Sequence, residues 1–190
     1  MYIPYWDYFL SLEKDLVRCT DFVEFENSNF NTYSINFAKI IMATSAEIDT
    51  ICKELCFLIC GNRKAGSIKK YAEIITKKYP KIVNMNVSLQ SYKITRRPFE
   101  NWTKDNSPNW WKKYNSIKHD RTSSYKEASL INAIDSMAAL LIIILYYNFS
   151  INNKEIEIDA FSAPRLFDIN DTSVTGISNG GIFWDYKIMT

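Results

Sequence analysis

Apolar residues recur at helical spacing along most of the chain and switch to two-residue alternation in short stretches near its middle and end. Trp6 to Arg18, with Phe9, Leu12, Leu16 and then Cys19, reads as a first amphipathic helix. After an asparagine-rich connector, Thr32 or Ser34 offers a cap for a helix over Ile35 to Cys60, ended by Gly61-Asn62. Its expected core stripe is Ile35, Ala38, Met42, Ala46, Ile51, Leu55 and Ile59, widened by Ile41, Ile48, Cys52 and Phe57, as befits an element central to a bundle. Glu47, Asp49 and Glu54 interrupt it, facing solvent or reaching a basic neighbour. Ser67 to Tyr79 predicts a shorter helix, stopped at Pro80.

From Lys81 to Pro98 the period changes: Ile82, Asn84, Asn86, Ser88 and Gln90 alternate with Val83, Met85, Val87 and Leu89, predicting an extended or hairpin-like insertion. A polar loop over 101–109 leads into Pro108 to Arg121, P-N-W-W-K-K-Y-N-S-I-K-H-D-R, whose helical part is Asn109 to His119. Ser124 with Glu127 matches a capping box, so a second long helix is predicted over Tyr125 to Tyr147, apolar nearly all round from Met137 onward. Glu155 to Asp159 predicts a short exposed strand. Gly176, Gly180 and Gly181 are expected in turns, and Ile182 to Tyr186 in a closing strand. Pro164-Arg165-Leu166-Phe167 is a candidate docking segment for the bundle or another chain.

The predicted fold is therefore all-α, a helical bundle with two long central helices, a small β insertion around 82–95 and an irregular or short-strand C-terminal tail. A hydrophobic content of 47% over 190 residues supports a single domain, with the bundle core at 5–150, the insertion at 82–98 and a C-terminal extension at 151–190. The apolar run Met137 to Tyr147 is about half a bilayer crossing, and Met1 to Leu10 mixes aromatic and acidic residues, so a cytoplasmic protein without membrane association is expected.

Net charge is only +2, but its distribution changes the picture. Residues 61–130 carry 16 of the 23 lysines and arginines and 5 of the 21 acidic groups, a field able to steer a phosphate-bearing partner. The chain's one histidine, His119, stands in that segment. The cysteines Cys19, Cys52, Cys56 and Cys60 lack zinc-site spacing and read as reduced, packed thiols, so neither metal nor cofactor is expected. No glycine-rich phosphate loop, serine elbow or paired-carboxylate motif is present, which excludes the enzyme classes that depend on them.

On a helix, Asn115 and His119 lie one turn apart and share a face. Histidine exchanges a proton near physiological pH, which suits activation of a ribose 2′-hydroxyl. Asn115 is placed to orient it, while Lys112, Lys118 and Arg121 supply positive charge for a phosphate. Trp111 is a candidate stacking residue, and Arg96 with Arg97 a second basic pair for RNA. The competing reading makes His119 a helix-end residue favoured by the helix dipole, and Trp110 and Trp111 core.

The segment Tyr114 to Arg121 followed by a long apolar helix resembles the HEPN superfamily (higher eukaryotes and prokaryotes nucleotide-binding domains), over roughly residues 5–150. That resemblance implies an all-helical, commonly homodimeric bundle, and a metal-independent endoribonuclease of toxin–antitoxin, abortive-infection or anti-phage systems, with RNA and an antitoxin or effector protein as partners. Active members carry an arginine, four to six intervening residues and a histidine, and the pairs from two subunits converge on the RNA phosphate. His119 matches the histidine; Lys113 stands where the arginine is expected, and Arg121 lies two residues beyond. The catalytic set implied is His119, Asn115, Lys113 and Arg121. The alternative is a non-catalytic helical dimerisation or regulatory module that binds a protein.

Overall fold

In the computed structural model the described residues are 3–61, 63–153, 156–159, 162–169, 172–178 and 181–186. Six helices are described: α1 (Trp6–Arg18), α2 (Ile35–Cys60), α3 (Ile68–Lys78), α4 (Asn109–His119), the single turn α5 (Arg121–Ser124) and α6 (Leu130–Asn152). The long helices α2 and α6 pack along each other, with α1 and α4 against both and α3 against α2. The all-helical bundle with a paired centre is thus as the periodicity indicates.

The ends of α2 follow local chemistry. Ser34 is extended at its N-cap and accepts a hydrogen bond from the Phe37 amide at 3.1 Å. Gly61 closes it in the left-handed region, φ 66°, donating its amide to the Phe57 carbonyl at 2.8 Å. A Cβ at Gly61 would meet nothing within 4 Å, so Gly61→Ala isolates the backbone cost: a loss of about 1 kcal/mol in urea unfolding is expected. A loss above about 3 kcal/mol would mean that the helix end is held by something other than this conformation.

The buried face of α2 keeps Ala38, Ile41, Ile48, Ile51, Cys52 and Leu55 of the predicted one but not all of it. Phe37, Ile40, Ile41, Ile48, Ile51, Cys52, Leu55 and Cys56 face the core, whereas Ile35 is 61% exposed, Ala46 is exposed and Met42 only half-buried. The reason lies in the packing: α6, buried on nearly all sides, and the flanking helices cover one side of α2 and leave Ile35 and Ala46 outside it. The acidic residues of α2 do not reach α4. Asp49 pairs with Lys53 at 2.5 Å and accepts the Tyr71 hydroxyl at 2.8 Å, and Glu54 pairs with Arg63 at 3.1 Å.

The second long helix starts later than the capping box implies. Asp120, not Ser124, caps a turn: its carboxylate accepts from the Ser123 amide at 3.1 Å and the Ser123 hydroxyl at 2.5 Å, and a 3₁₀ turn over Tyr125–Glu127 follows. Helix α6 begins at Leu130, whose amide donates to the Thr32 carbonyl at 2.8 Å, while the Ile131 amide donates to the Phe30 carbonyl at 3.2 Å. Carbonyls from a loop about a hundred residues away thus satisfy amides at the buried helix start. Among the described residues α6 is the one helix long and apolar enough to cross a membrane, and in this fold it is buried within the bundle.

The insertion is only partly extended. Pro80–Asn84 is a 3₁₀ turn, because Ile82 and Met85 are drawn into the core; β1 (Val87–Leu89) and β2 (Ile94–Arg96) then pair antiparallel, Ser88 opposite Thr95. The remaining described strands are β3 (Ile156–Asp159), β4 (Asp168–Ile169), β5 (Thr172–Ser178) and β6 (Gly181–Tyr186). The first sheet has the order β2-β1-β4 and the second β3-β6-β5. Gly176 lies within β5 at a register irregularity and Gly181 opens β6, rather than both lying in turns; Gly180, Asn62 and Glu155 are outside the described residues. Ile158 of β3 is buried, so that strand is not wholly exposed.

The 164–167 segment docks on the bundle. Glu13 of α1, itself buried, accepts the amides of Arg165 at 2.9 Å, Leu166 at 2.8 Å and Phe167 at 3.3 Å. Trp6 donates its indole N–H to the Ser162 carbonyl at 2.9 Å, and the Phe9 and Phe167 rings stand 6.4 Å apart.

Candidate functional site

Helix α4 is fixed by its aromatic side. Trp110 donates its indole N–H to the Pro98 carbonyl at 2.9 Å, and Trp102 does the same to the Ile68 carbonyl at 3.0 Å. The Phe99 ring stacks on Trp102 at 4.7 Å and meets Trp110 edge-on at 6.2 Å. Trp111 packs between Trp110 at 5.6 Å and Tyr114 at 5.1 Å and is only 7% exposed. Burying this seam turns the opposite face outward: Lys112, Ser116, Lys118 and His119 are exposed and Asn115 half-buried.

That face gathers several of the sequence candidates. Asn115 and His119 sit one turn apart, His119 at the last helical residue where cationic side chains are favoured. The chain then passes through Asp120 to the exposed Arg121, whose Cα lies within about 7 Å of that of His119 because they are only two positions apart. Lys118 lies over the Tyr114 ring at 5.5 Å, and Lys112 donates to the Asn106 side-chain oxygen at 2.8 Å, a neutral partner that leaves its charge uncompensated. The hydrogen bonds from Ser123 hold the Asp120 carboxyl below its ordinary value, so the capping carboxylate is spent on backbone and hydroxyl rather than on His119.

Other candidates are placed elsewhere or already engaged. Lys113 turns to the segment preceding α6 and pairs with Glu127 at 2.8 Å. Arg96 faces inward from β2, its fork on Asp135 of α6 at 2.6 and 2.9 Å, with Phe30 beneath it at 5.9 Å. This internal pair takes two of the donors that would bind phosphate and uses them to hold the sheet to the bundle. Trp111 is buried against Trp110 and Tyr114 rather than open to a base. Arg97 is exposed in the insertion and donates to Asn86 at 3.3 Å.

Thiol chemistry is disfavoured at the buried Cys52 and Cys56, whereas Cys60, expected to be packed, is exposed. Burial pushes the Cys56 thiol up to about 12 and Cys52 well above its ordinary value. Among the described residues no group of three His, Cys, Asp or Glu side chains is arranged to hold a metal.

Beside Arg121 lies a cleft of about 510 Å³, lined by Ile35, Lys39, Met42 and Ala43 of α2 and by Arg121 and Tyr125. Lys39, Met42 and Tyr125 were missed by motif reasoning. Their sequence signal is slight: Lys39 is the one basic residue between Ile35 and Thr50, inside what reads as an apolar stripe. A smaller cleft of about 300 Å³ on the other side of Lys39 is lined by Leu12, Asp15 and Arg18, and there Asp15 pairs with Arg18 at 3.0 Å. Chemically, the α4–α5 edge offers a solvent-facing imidazole, a neighbouring amide and a cluster of cations. No protein-family model, curated protein or solved structure matches this chain.

Proposed function

We propose that this chain is a HEPN-like RNA-cleaving or RNA-binding protein of a toxin or anti-phage system, working without metal through the α4–α5 edge. The observation that carries the reading is the outward-facing His119 at the end of α4, with Asn115 one turn behind it and Lys112, Lys118 and Arg121 exposed around it. In the cleavage step His119 accepts the proton of a ribose 2′-hydroxyl. O2′ then attacks the adjacent phosphorus, the bond from phosphorus to O5′ breaks, and a 2′,3′-cyclic phosphate and a 5′-hydroxyl result. Arg121 and Lys118 meet the charge that builds on the phosphate oxygens. The leaving O5′ needs a proton from a second acid. Because the chain has one histidine, the imidazolium of His119 from a second copy supplies it in a homodimer.

Incubation of mixed RNA with chelator and the full chain tests this. His119→Ala is expected to lower cleavage by about 10²- to 10⁴-fold with the melting curve unchanged, since His119 is exposed. Equal cleavage by both proteins would sink the assignment. A second reading, a non-catalytic dimerisation or regulatory module, is favoured by exposed Ile35 and Tyr33 at 61% and 45% near the same edge. It requires self-association or capture of a protein partner with no RNA cleavage.

A further inference from the structure

We infer that the cleft between α2 and the α5 region is a nucleotide subsite: one unit of single-stranded RNA seats its base against Met42 and Tyr125 and its phosphate between Lys39 and Arg121. This rests on the RNA reading above and extends it to residues that no motif marks.

The observations converge on this ligand class. At about 510 Å³ the cleft is within the range of small-molecule sites and open at its mouth to a continuing strand. Its floor is apolar and contains one aromatic ring, the combination on which any base stacks irrespective of sequence. Tyr33 meets Tyr125 edge-on, with centroids 5.6 Å apart and planes at 87°, which fixes the orientation of the ring. Two cations, Lys39 and Arg121, stand in the lining and no carboxylate does, so an anion entering it meets uncompensated positive charge. The neighbouring cleft is the built-in contrast: it shares Lys39 but carries the Asp15–Arg18 pair, which neutralises the arginine. Arg121 belongs both to the cleft and to the α4–α5 edge, so a phosphate held there places the next ribose towards His119. A protein surface of this kind would instead need an acidic, apolar partner, whereas a ring-bearing anion satisfies every feature of the lining at once.

Two probes test the proposal on the full chain: UMP, and a fluorescent 2′-O-methyl octauridylate, which binds but cannot be cleaved through its 2′-oxygen. With ¹³C-methyl methionine labelling, UMP is expected to shift the Met42 methyl resonance, and Lys39→Ala is expected to abolish the shift. Anisotropy is expected to show Kd for the octamer rising about tenfold in Lys39→Ala and in Tyr125→Leu, with Met42→Glu removing measurable binding. Lys39 is exposed, so its variant keeps the test independent of folding. Unchanged Kd in Lys39→Ala and Tyr125→Leu, alongside weaker binding by Lys112→Ala/Lys118→Ala, would place RNA elsewhere on the edge and overturn the subsite while leaving the RNA reading standing. A UMP shift at Met42 without cleavage of natural RNA would support the subsite and sink the nuclease reading. Should Met42→Glu convert a dimer to a monomer in sedimentation while octamer affinity is unchanged, the cleft is a protein interface and the subsite is overturned.

Discussion

Asp135→Ala is expected to destabilise the fold by about 3 kcal/mol, towards the lower end of what breaking a buried ion pair costs. The Asp135 side chain is 10% exposed and receives both arms of the Arg96 guanidinium. Burial pushes the Asp135 carboxyl up and the Arg96 hydrogen bonds pull it back, while the same bonds raise Arg96. Removing the carboxylate leaves the guanidinium against the Phe30 ring and α6 without its hydrogen-bonded partner, with only the weaker field of Glu100. Because Arg96 is itself 32% exposed, it recovers part of its hydration by turning outward, which sets the lower figure. Replacing the pair together, Arg96→Met with Asp135→Leu, is expected to regain most of the loss, since two apolar side chains need neither charge solvated. Urea unfolding of the four proteins gives the coupling. A loss below about 1 kcal/mol for Asp135→Ala would show that the insertion is held to the bundle by its apolar contacts alone.

Glu13→Ala is the second large effect, about 3 kcal/mol, because it removes the acceptor for the amides of Arg165, Leu166 and Phe167. Each buried donor left unmade costs about 1–3 kcal/mol, and detachment of the 162–169 segment limits the sum. Hydrogen exchange at the Leu166 amide is expected to accelerate in step with the stability loss; unchanged protection would mean that other contacts hold the segment. The pH dependence has a definite sign. Burial outweighs the three amides and raises the Glu13 carboxyl above its ordinary 4.5, so the folded chain binds the proton more tightly than the unfolded one. The stability linked to this group is fully present below about 4.5 and is lost as pH rises through the raised value. Glu13→Gln keeps an acceptor and cannot titrate, so its stability is expected to lack that component.

Much of the bundle was legible because its signals are local. Phe9, Leu12 and Leu16 recur on one face of α1, and Ser34 and Gly61 mark the ends of α2 by chemistry that acts within one turn. The exposed side of α4 was legible for the same reason: once Trp110, Tyr114 and Ile117 are seen as a seam, Asn115 and His119 must lie off it. That Ile35 and Met42 fall outside the buried face of α2 was not legible, since they are as apolar as Ile41 and only tertiary packing decides which is covered. Nor was the start of α6, where the carbonyls of Phe30 and Thr32 replace the expected capping box. Arg96 read as surface charge because Asp135 is 39 residues away.

By itself, then, the sequence determined a mostly helical chain with two long apolar elements, a break in period after Pro80, and a lone histidine set in a basic segment on the polar side of its helix. Those properties depend on side-chain spacing and on neighbours within a few residues. The tertiary structure alone decided that Arg96 and Lys113 are internally paired and that Trp111 is covered. It also brought Lys39 and Met42 to a cleft with Arg121 and Tyr125, and seated the 165–167 backbone on Glu13. Each of these joins residues far apart in the chain, and whether a charge or ring is free depends on which distant group packing delivers to it.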